Sequence, residues 1–193
     1  MTTALTSVER DLYPAAGVWE IDPAHTTVEF VARHLMVSKV RGRFDSFTGS
    51  IEIGEDLVAS AIEVDIDVTS LTTGSPDRDA HLASADFFEA GDHPTIRFAS
   101  TAIEPDGADW PDNAHWTVTG LLTIRGVTQP VTLDLAYLGT GQDPWGNTKA
   151  GFSLTGEVDR EDWGLTWNVA LEGGGVLVSK KVKLEIETQI KQR

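Results

Sequence analysis

The sequence predicts an all-β fold: an extended antiparallel β-barrel of eight strands with a short helix capping one end. Apolar and polar residues alternate along most of the chain, which is the pattern of half-buried strands. The alternating segments are joined by Gly, Pro, Asn and Asp, and they exceed the usual strand length of about five to six residues. Long antiparallel strands form two packed sheets or one barrel, and a barrel leaves no unpaired edge. We therefore expect the barrel.

A single domain is expected over residues 17–193, after a flexible leader at 1–16. The chain is long enough to bury one core and short for two. The predicted strands are 26–34, 40–53, 60–71, 95–104, 115–126, 129–139, 147–159 and 180–190.

The alternation also predicts which strand residues face the core, and Gly and Pro predict where the strands bend, turn or begin. The residues expected to share a buried face are Val28, Phe30, Ala32 and His34 in the first strand and Ile62, Val64, Ile66 and Val68 in the third. Gly42 and Gly49 are expected to kink the second strand. Gly126 predicts a tight hairpin turn, with Pro130 at the start of the next strand.

Residues 76–84 form the one helical pattern. Ser75 is a candidate N-cap and Pro76 suits the first helical position. Leu82 and the following Phe87 and Phe88 are expected to plug one end of the barrel. Two compatible roles remain open for Arg78 and His81: they satisfy buried partners, or they face the mouth of the lumen and meet an anionic head group.

Catalytic and metal-binding alternatives rest on the histidines. His81 can act as a general base if Asp77 or Asp79 orients it, but no nucleophile elbow or serine triad accompanies it. The five histidines lack the usual metal-ligand spacings, although Asp22, His25 and His34 can converge in space.

Charge and composition exclude other classes. Thirty acidic residues against 15 basic ones give a net charge of −15, which disfavours nucleic acid and anionic lipid surfaces. There is no cysteine, so no disulfide or thiolate site exists. The N-terminus does not read as a signal peptide and no apolar run approaches a membrane span. We expect a cytoplasmic protein without stable membrane insertion.

Four segments together carry a family resemblance: "WEIDPAHTTVEFVARHLMVSKVRGRFDSFTG", "DRDAHLASADFFEAGDHPTIRFAST", "GLLTIRGVTQPVTLDL" and "GFSLTGEVDREDWGLTW". In order and spacing they resemble the YceI family, from about residue 18 to 190. The resemblance implies a lipocalin-like barrel whose apolar lumen binds polyisoprenoid chains. Met36 stands where glycine is common in that family, which is expected to alter the bend there.

Carried over by position, the resemblance implies lumen contacts from Phe30, Phe44, Ile66, Phe88, Phe98, Leu122, Leu133, Phe152 and Trp163. It also implies that Arg78, His81, Arg125 and Arg160 lie at the lumen mouth or form its polar interior.

The expected function is non-catalytic carriage of a long isoprenoid-type lipid, such as a polyisoprenoid or an isoprenoid quinone, in the barrel lumen. No metal and no other cofactor are expected, and a homodimer remains open. The alternatives are a hydrolase or isomerase that uses His81 or His34 as base, and a stress or interaction protein whose barrel is fully packed.

Overall fold

In the part of the chain that the structure describes, eleven strands form one antiparallel sheet that closes on itself. The computed structural model describes residues 13–106, 115–172 and 175–193. The strands are β1 Gly17–Ile21, β2 Thr27–His34, β3 Ser38–Phe44, β4 Phe47–Ile53, β5 Ala61–Asp67, β6 Leu71–Thr72, β7 Thr95–Pro105, β8 His115–Ile124, β9 Val127–Gln142, β10 Thr148–Asp159 and β11 Lys181–Gln192. Strand β1 pairs with both β4 and β11, which closes the barrel.

Six of these strands act as three interrupted ones. Strands β1 and β2 both pair with β11. On their other side, β1 pairs with β4 and β2 pairs with β3. In turn, β4 pairs with β5 and β3 pairs with β6. The strands β1 and β2, β3 and β4, and β5 and β6 therefore each form one long strand with a break. Counted this way, the barrel has eight strands, and the predicted fold class is confirmed.

The break in the predicted strand 40–53 lies at Asp45 and Ser46, and the expectation of kinks at two glycines is wrong. The Asp45 and Ser46 N–H groups donate to the Ser70 carbonyl at 3.3 Å and the Ser70 hydroxyl at 3.0 Å. Ser70 lies in the short 3-10 helix Val68–Ser70 between β5 and β6. Pro130 also lies inside β9, opposite Leu121, rather than at its start. The hairpin turn at Gly126 is confirmed, with φ of 74°.

Two glycines in the strands make room for aromatic rings instead of bending the chain. A Cβ on Gly42 would lie 2.2 Å from the Phe30 ring. A Cβ on Gly120 would lie 2.4 Å from the Phe98 ring and 2.7 Å from the Ala99 carbonyl oxygen. Both rings can therefore lie flat across the neighbouring strand, on the inner wall of the barrel.

Gly120→Ala is expected to lower the free energy of unfolding by about 1–3 kcal/mol, because overpacking forces side chains and backbone to shift. The matched control is Gly141→Ala in β9, where no atom lies within 4 Å of an added Cβ. Urea unfolding of both variants measures the difference. Equal stability of the two would contradict the close contact at Gly120.

The predicted helix is confirmed as α1, Pro76–Ala83. Ser75 occupies the N-cap position but makes no side-chain capping bond. The Asp79 carboxylate instead accepts from the Thr73 N–H at 2.8 Å and from the Thr73 hydroxyl, which ties the helix to the preceding segment. Leu82, Phe87 and Phe88 project into the barrel from this end. We call it the helix end.

The opposite end of the barrel is filled by its own side chains. Trp19, Trp116 and Val118 are almost completely buried. The Tyr13 ring packs edge-on against Trp116 at 5.8 Å, and the Trp19 indole N–H donates to the Ala15 carbonyl at 3.1 Å. Residues 13–16 of the predicted leader therefore pack on the barrel, whereas its first twelve residues lie outside the described ones. No helix of the described residues is long and apolar enough to cross a bilayer.

Candidate functional site

A cavity of about 270 Å³ lies inside the barrel between its two ends. Its wall is made by the inward positions of the strands, together with Leu82, Phe87 and Phe88 from the helix end. Alternation places these residues inward, because successive side chains of a strand point to opposite faces. Among the described residues, the polar members of this wall are Thr26, Glu29, Ser60, Arg160 and Thr188. The interior is thus almost wholly apolar.

Part of the wall is less completely covered by other side chains than the rest. Val28, Phe30 and Ala32 of β2 line the cavity yet remain partly exposed, as do Leu184 and Ile186 of β11. Ile62 and Val64 of β5 also line the cavity and are partly exposed. On the facing wall, by contrast, Phe98, Leu122, Leu133 and Phe152 are buried. The space therefore lies against the β11, β2 and β5 side of the barrel.

All nine residues predicted as lumen contacts line this cavity: Phe30, Phe44, Ile66, Phe88, Phe98, Leu122, Leu133, Phe152 and Trp163. Their contact with a ligand stays a prediction. Strand β11 contributes further lining residues that were not among the predicted lumen contacts: Val182, Leu184, Ile186 and Ile190. The alternation in "KVKLEIETQI" carries that signal, since every second residue from Val182 is apolar or small until Ile190.

Arg160 brings a positive charge to the cavity wall. It begins the short 3-10 helix Arg160–Trp163 and is only 6% exposed. Its Nε donates to the Ser179 carbonyl at 3.0 Å and its Nη1 donates to the Leu165 carbonyl. Its guanidinium carbon lies 6.0 Å from the centre of the Phe87 ring. The side chain is therefore held firmly in one orientation.

One nitrogen of Arg160 is left over. Among the described residues, no group accepts a hydrogen bond from its buried Nη2. Burial lowers the pKa of Arg160 from its ordinary value, opposed by the nearby Glu161 and Asp159 carboxylates. A guanidinium stays charged in proteins even so. Because a buried donor without an acceptor is costly, Nη2 is suited to an oxygen atom of a guest molecule.

The other three polar candidates lie outside the cavity wall. Arg78 is exposed and donates to the Thr73 hydroxyl at 2.7 Å and the Thr73 carbonyl at 2.9 Å. Arg125 donates to the Glu89 carboxylate at 2.9 Å and to the Phe87 carbonyl at 3.3 Å. Each is engaged by a local partner. The bonds of Arg78 are exposed, so the buried partner expected in the first of its two roles is not found. A place at the lumen mouth stays a prediction for both residues.

His81 also has a local partner. Its Nε2 lies 2.9 Å from the Asp86 carboxylate, not from Asp77 or Asp79. Its ring packs edge-on against Trp167 at 4.6 Å and Phe87 at 5.1 Å. The histidine thus supports the outer side of the helix end, and it does not line the cavity.

Of Asp22, His25 and His34, which were expected to be able to converge, only Asp22 and His25 lie close together. The Asp22 carboxylate lies 2.6 Å from Lys149 Nζ and 2.9 Å from His25 Nδ1. The hydrogen bond from Lys149 and, less strongly, that from His25 lower the pKa of Asp22. His34 lies at the far end of β2, opposite Val178. Within the described ranges no three His, Asp or Glu side chains are placed to hold a metal ion.

A closed antiparallel barrel around an apolar cavity defines the class of lipocalin-like barrels. The chain belongs to the YceI-like domain family, whose model matches residues 19–190. It is 38% identical over 143 residues to a UPF0312 protein of Pectobacterium atrosepticum, covering 74% of this chain and 71% of that protein.

Solved structures show the same fold. Burkholderia cenocepacia BcnA is similar with a TM-score of 0.72 and 23% identity, over 88% of this chain and 98% of that one. A polyisoprenoid binding domain from Saccharophagus degradans, implicated in plant cell wall breakdown, has a TM-score of 0.61 and 16% identity, over 91% and 98% of the two chains.

Proposed function

We propose that this protein binds and carries an isoprenoid-type lipid in the barrel lumen, without catalysis. The observation that carries the proposal is the partly exposed, inward-facing apolar wall of β2, β5 and β11 around the cavity. Apolar surface that a folded chain leaves unpacked in its interior is a usual site for a small molecule. The S. degradans domain of the same fold is named for polyisoprenoid binding, which supports the same ligand class.

The shape of the cavity favours a slim tail. A volume of about 270 Å³ is near the lower limit of the roughly 300–1,000 Å³ of drug-sized pockets. The lining of β11 runs from Val182 to Ile190, which at about 3.3 Å per residue is roughly 26 Å along the strand. A space that is long and narrow accommodates one chain and excludes fused rings. Burial of that chain contributes roughly 25 cal/mol per Å² before the costs of binding.

The polar head of the ligand would lie at Arg160. Its Nη2 is the buried donor that lacks an acceptor among the described residues, and it lies in the wall near the helix end. An isoprenoid quinone or an isoprenoid alcohol offers the oxygen acceptor that this group needs. The tail would then extend from Arg160 toward Trp19 and Trp116.

The proposal is tested by native mass spectrometry of gently purified protein, followed by addition of short-chain isoprenoid quinones. Ligand at about 100 times its Kd is expected to stabilise the protein by about 2.7 kcal/mol. For a domain of this size that is a rise in Tm of roughly 5–11 °C. A saturated sterol of similar mass is the matched control and should give no rise. Ligand-free mass together with an unchanged Tm for isoprenoid quinones and alcohols would reject the proposal.

A further inference from the structure

The turn between β2 and β3 exposes apolar side chains that the fold does not use. Leu35, Met36 and Val37 are 42%, 55% and 84% exposed. Leu35 and Met36 have φ of 53° and 57°, and the Val37 N–H donates to the His34 carbonyl at 3.1 Å. Tight turns with two positive φ values favour Asn and Gly. Met36 therefore has a backbone conformation that favours glycine, and bulky residues are held where they cost stability. That Met36 alters the bend relative to the family stays a prediction.

Positive charge surrounds this tip, which we define as residues 33–39. Residues 30–44 contain Arg33, Lys39, Arg41 and Arg43 and no acidic residue, in a chain with 30 acidic and 15 basic ones. Arg41 and Arg43 make ion pairs with carboxylates outside this segment. Arg33 and Lys39 make none with any residue that the structure describes.

The two unpaired cations also lie in an unfavourable place. Arg33 and Lys39 are exposed and directly opposite each other in the β2–β3 ladder. Like charges in that arrangement destabilise a pair of strands. Strained apolar residues and unpaired like charges therefore occur together at one turn, and packing of the barrel explains neither.

We propose that the tip docks reversibly on an anionic lipid bilayer. Leu35, Met36 and Val37 enter the headgroup region, while Arg33 and Lys39 meet the anionic headgroups. Apolar and basic residues together are the composition of segments that bind membrane interfaces. The overall charge of −15 does not prevent docking, because charges beyond about 8 Å are largely screened at physiological salt.

The tip lies beside the cavity at the helix end of the barrel. Ala32, which precedes it in β2, lines the cavity. The Leu35 N–H donates to the Leu177 carbonyl at 2.8 Å, and the adjacent Val178 lines the cavity as well. Docking here would bring the lumen close to the bilayer, where apolar lipids are dissolved. The docking itself does not rest on lipid binding in the lumen and can be measured without added ligand.

A second exposed apolar residue supplies a control. Trp145 is 82% exposed in the β9–β10 loop, where its backbone N–H donates to the Asp143 carboxylate at 3.0 Å. Tryptophan is favoured at membrane interfaces. The neighbouring carboxylate, however, is repelled by anionic lipid. The proposal therefore predicts that Trp145→Ser leaves vesicle binding unchanged.

The experiment is co-sedimentation of ligand-free protein with vesicles of phosphatidylcholine alone or mixed equally with phosphatidylglycerol. Binding is expected to the anionic vesicles and to weaken as salt is raised. The double variant Leu35→Asn, Met36→Gly supplies the residues that this turn prefers. It should lose at least about tenfold in partitioning, from the lost apolar contact, while its Tm stays equal or rises. Unfolding thus cannot account for the loss.

Arg33→Gln and Lys39→Gln should each reduce partitioning about fivefold and flatten its salt dependence. The proposal is overturned if the wild type does not bind anionic vesicles, or if it binds neutral and anionic vesicles equally. It is also overturned if Trp145→Ser abolishes binding while the tip variants retain it. Self-association that the tip variants abolish, without vesicle binding, would assign the tip to a second copy of the chain.

Discussion

Val64→Trp is expected to abolish isoprenoid binding, with a loss of at least about 100-fold, and to leave the protein folded. Val64 points into the lumen from β5, lines the cavity and is only partly buried. An indole at this position would extend into a cavity of about 270 Å³ and occupy the path of the tail. A loss of about 100-fold corresponds to about 2.7 kcal/mol, a modest share of the burial energy of a long chain.

The matched control is Glu63→Trp, which places the same side chain on the outer face of the same strand. Glu63 is exposed, and strand alternation directs it away from the lumen. Binding measured by titration with an isoprenoid quinone should be unchanged in this variant. Thermal unfolding shows whether each variant remains folded. Wild-type affinity in a folded Val64→Trp variant would mean that the lipid binds elsewhere.

Arg160→Met is expected to weaken binding of an isoprenoid quinone by about 10–150-fold and to leave binding of a hydrocarbon of equal length unchanged. A hydrogen bond to a charged group contributes about 1.5–3 kcal/mol, which gives that range. The selective loss is expected because Arg160 lines the cavity and its buried Nη2 has no acceptor among the described residues.

The structural role of Arg160 requires its own control. The same side chain donates to the Ser179 and Leu165 carbonyls, so the methionine variant is also expected to lose stability. Comparing the two ligands within one variant removes this effect, because both ligands bind the same destabilised protein. Arg160→Lys retains the charge and should recover part of the quinone affinity. An equal loss for quinone and hydrocarbon would exclude a head-group contact at Arg160.

The inner wall was predictable from local pattern. In β2 and β5, apolar residues recur at every second position, so Phe30 and Val64 could be assigned to the lumen once a barrel was assumed. The same rule holds in β11, where Leu184 and Ile186 face inward. Strand periodicity is a property of neighbouring residues, which is why the sequence alone carries it.

Features that depend on distant residues were not predictable. The break at Asp45 and Ser46 is held by Ser70, which lies in the short 3-10 helix between β5 and β6. His81 is paired with Asp86, beyond the end of its helix, and the alternation of residues gives no sign of it. The burial of Arg160 is fixed by the Ser179 and Leu165 carbonyls. The fold of the barrel brings Ser70 and Ser179 into place. Asp86 and Leu165 lie only five residues from their partners, but neither pair follows from strand alternation or helix spacing.

Closure of the barrel also determines when it can form during synthesis. Strand β1 pairs with β11, with Trp19 opposite Gln192, so the ring joins segments that are far apart in the chain. Of the described strands, β11 leaves the ribosome last. Until then the hydrogen-bonding edges of β2 and β10, its other neighbours, have no partner strand on that side. Such long-range pairing makes folding slow and exposes incomplete chains to aggregation. We therefore expect a chain that is cut before β11 to aggregate more readily than one that includes it.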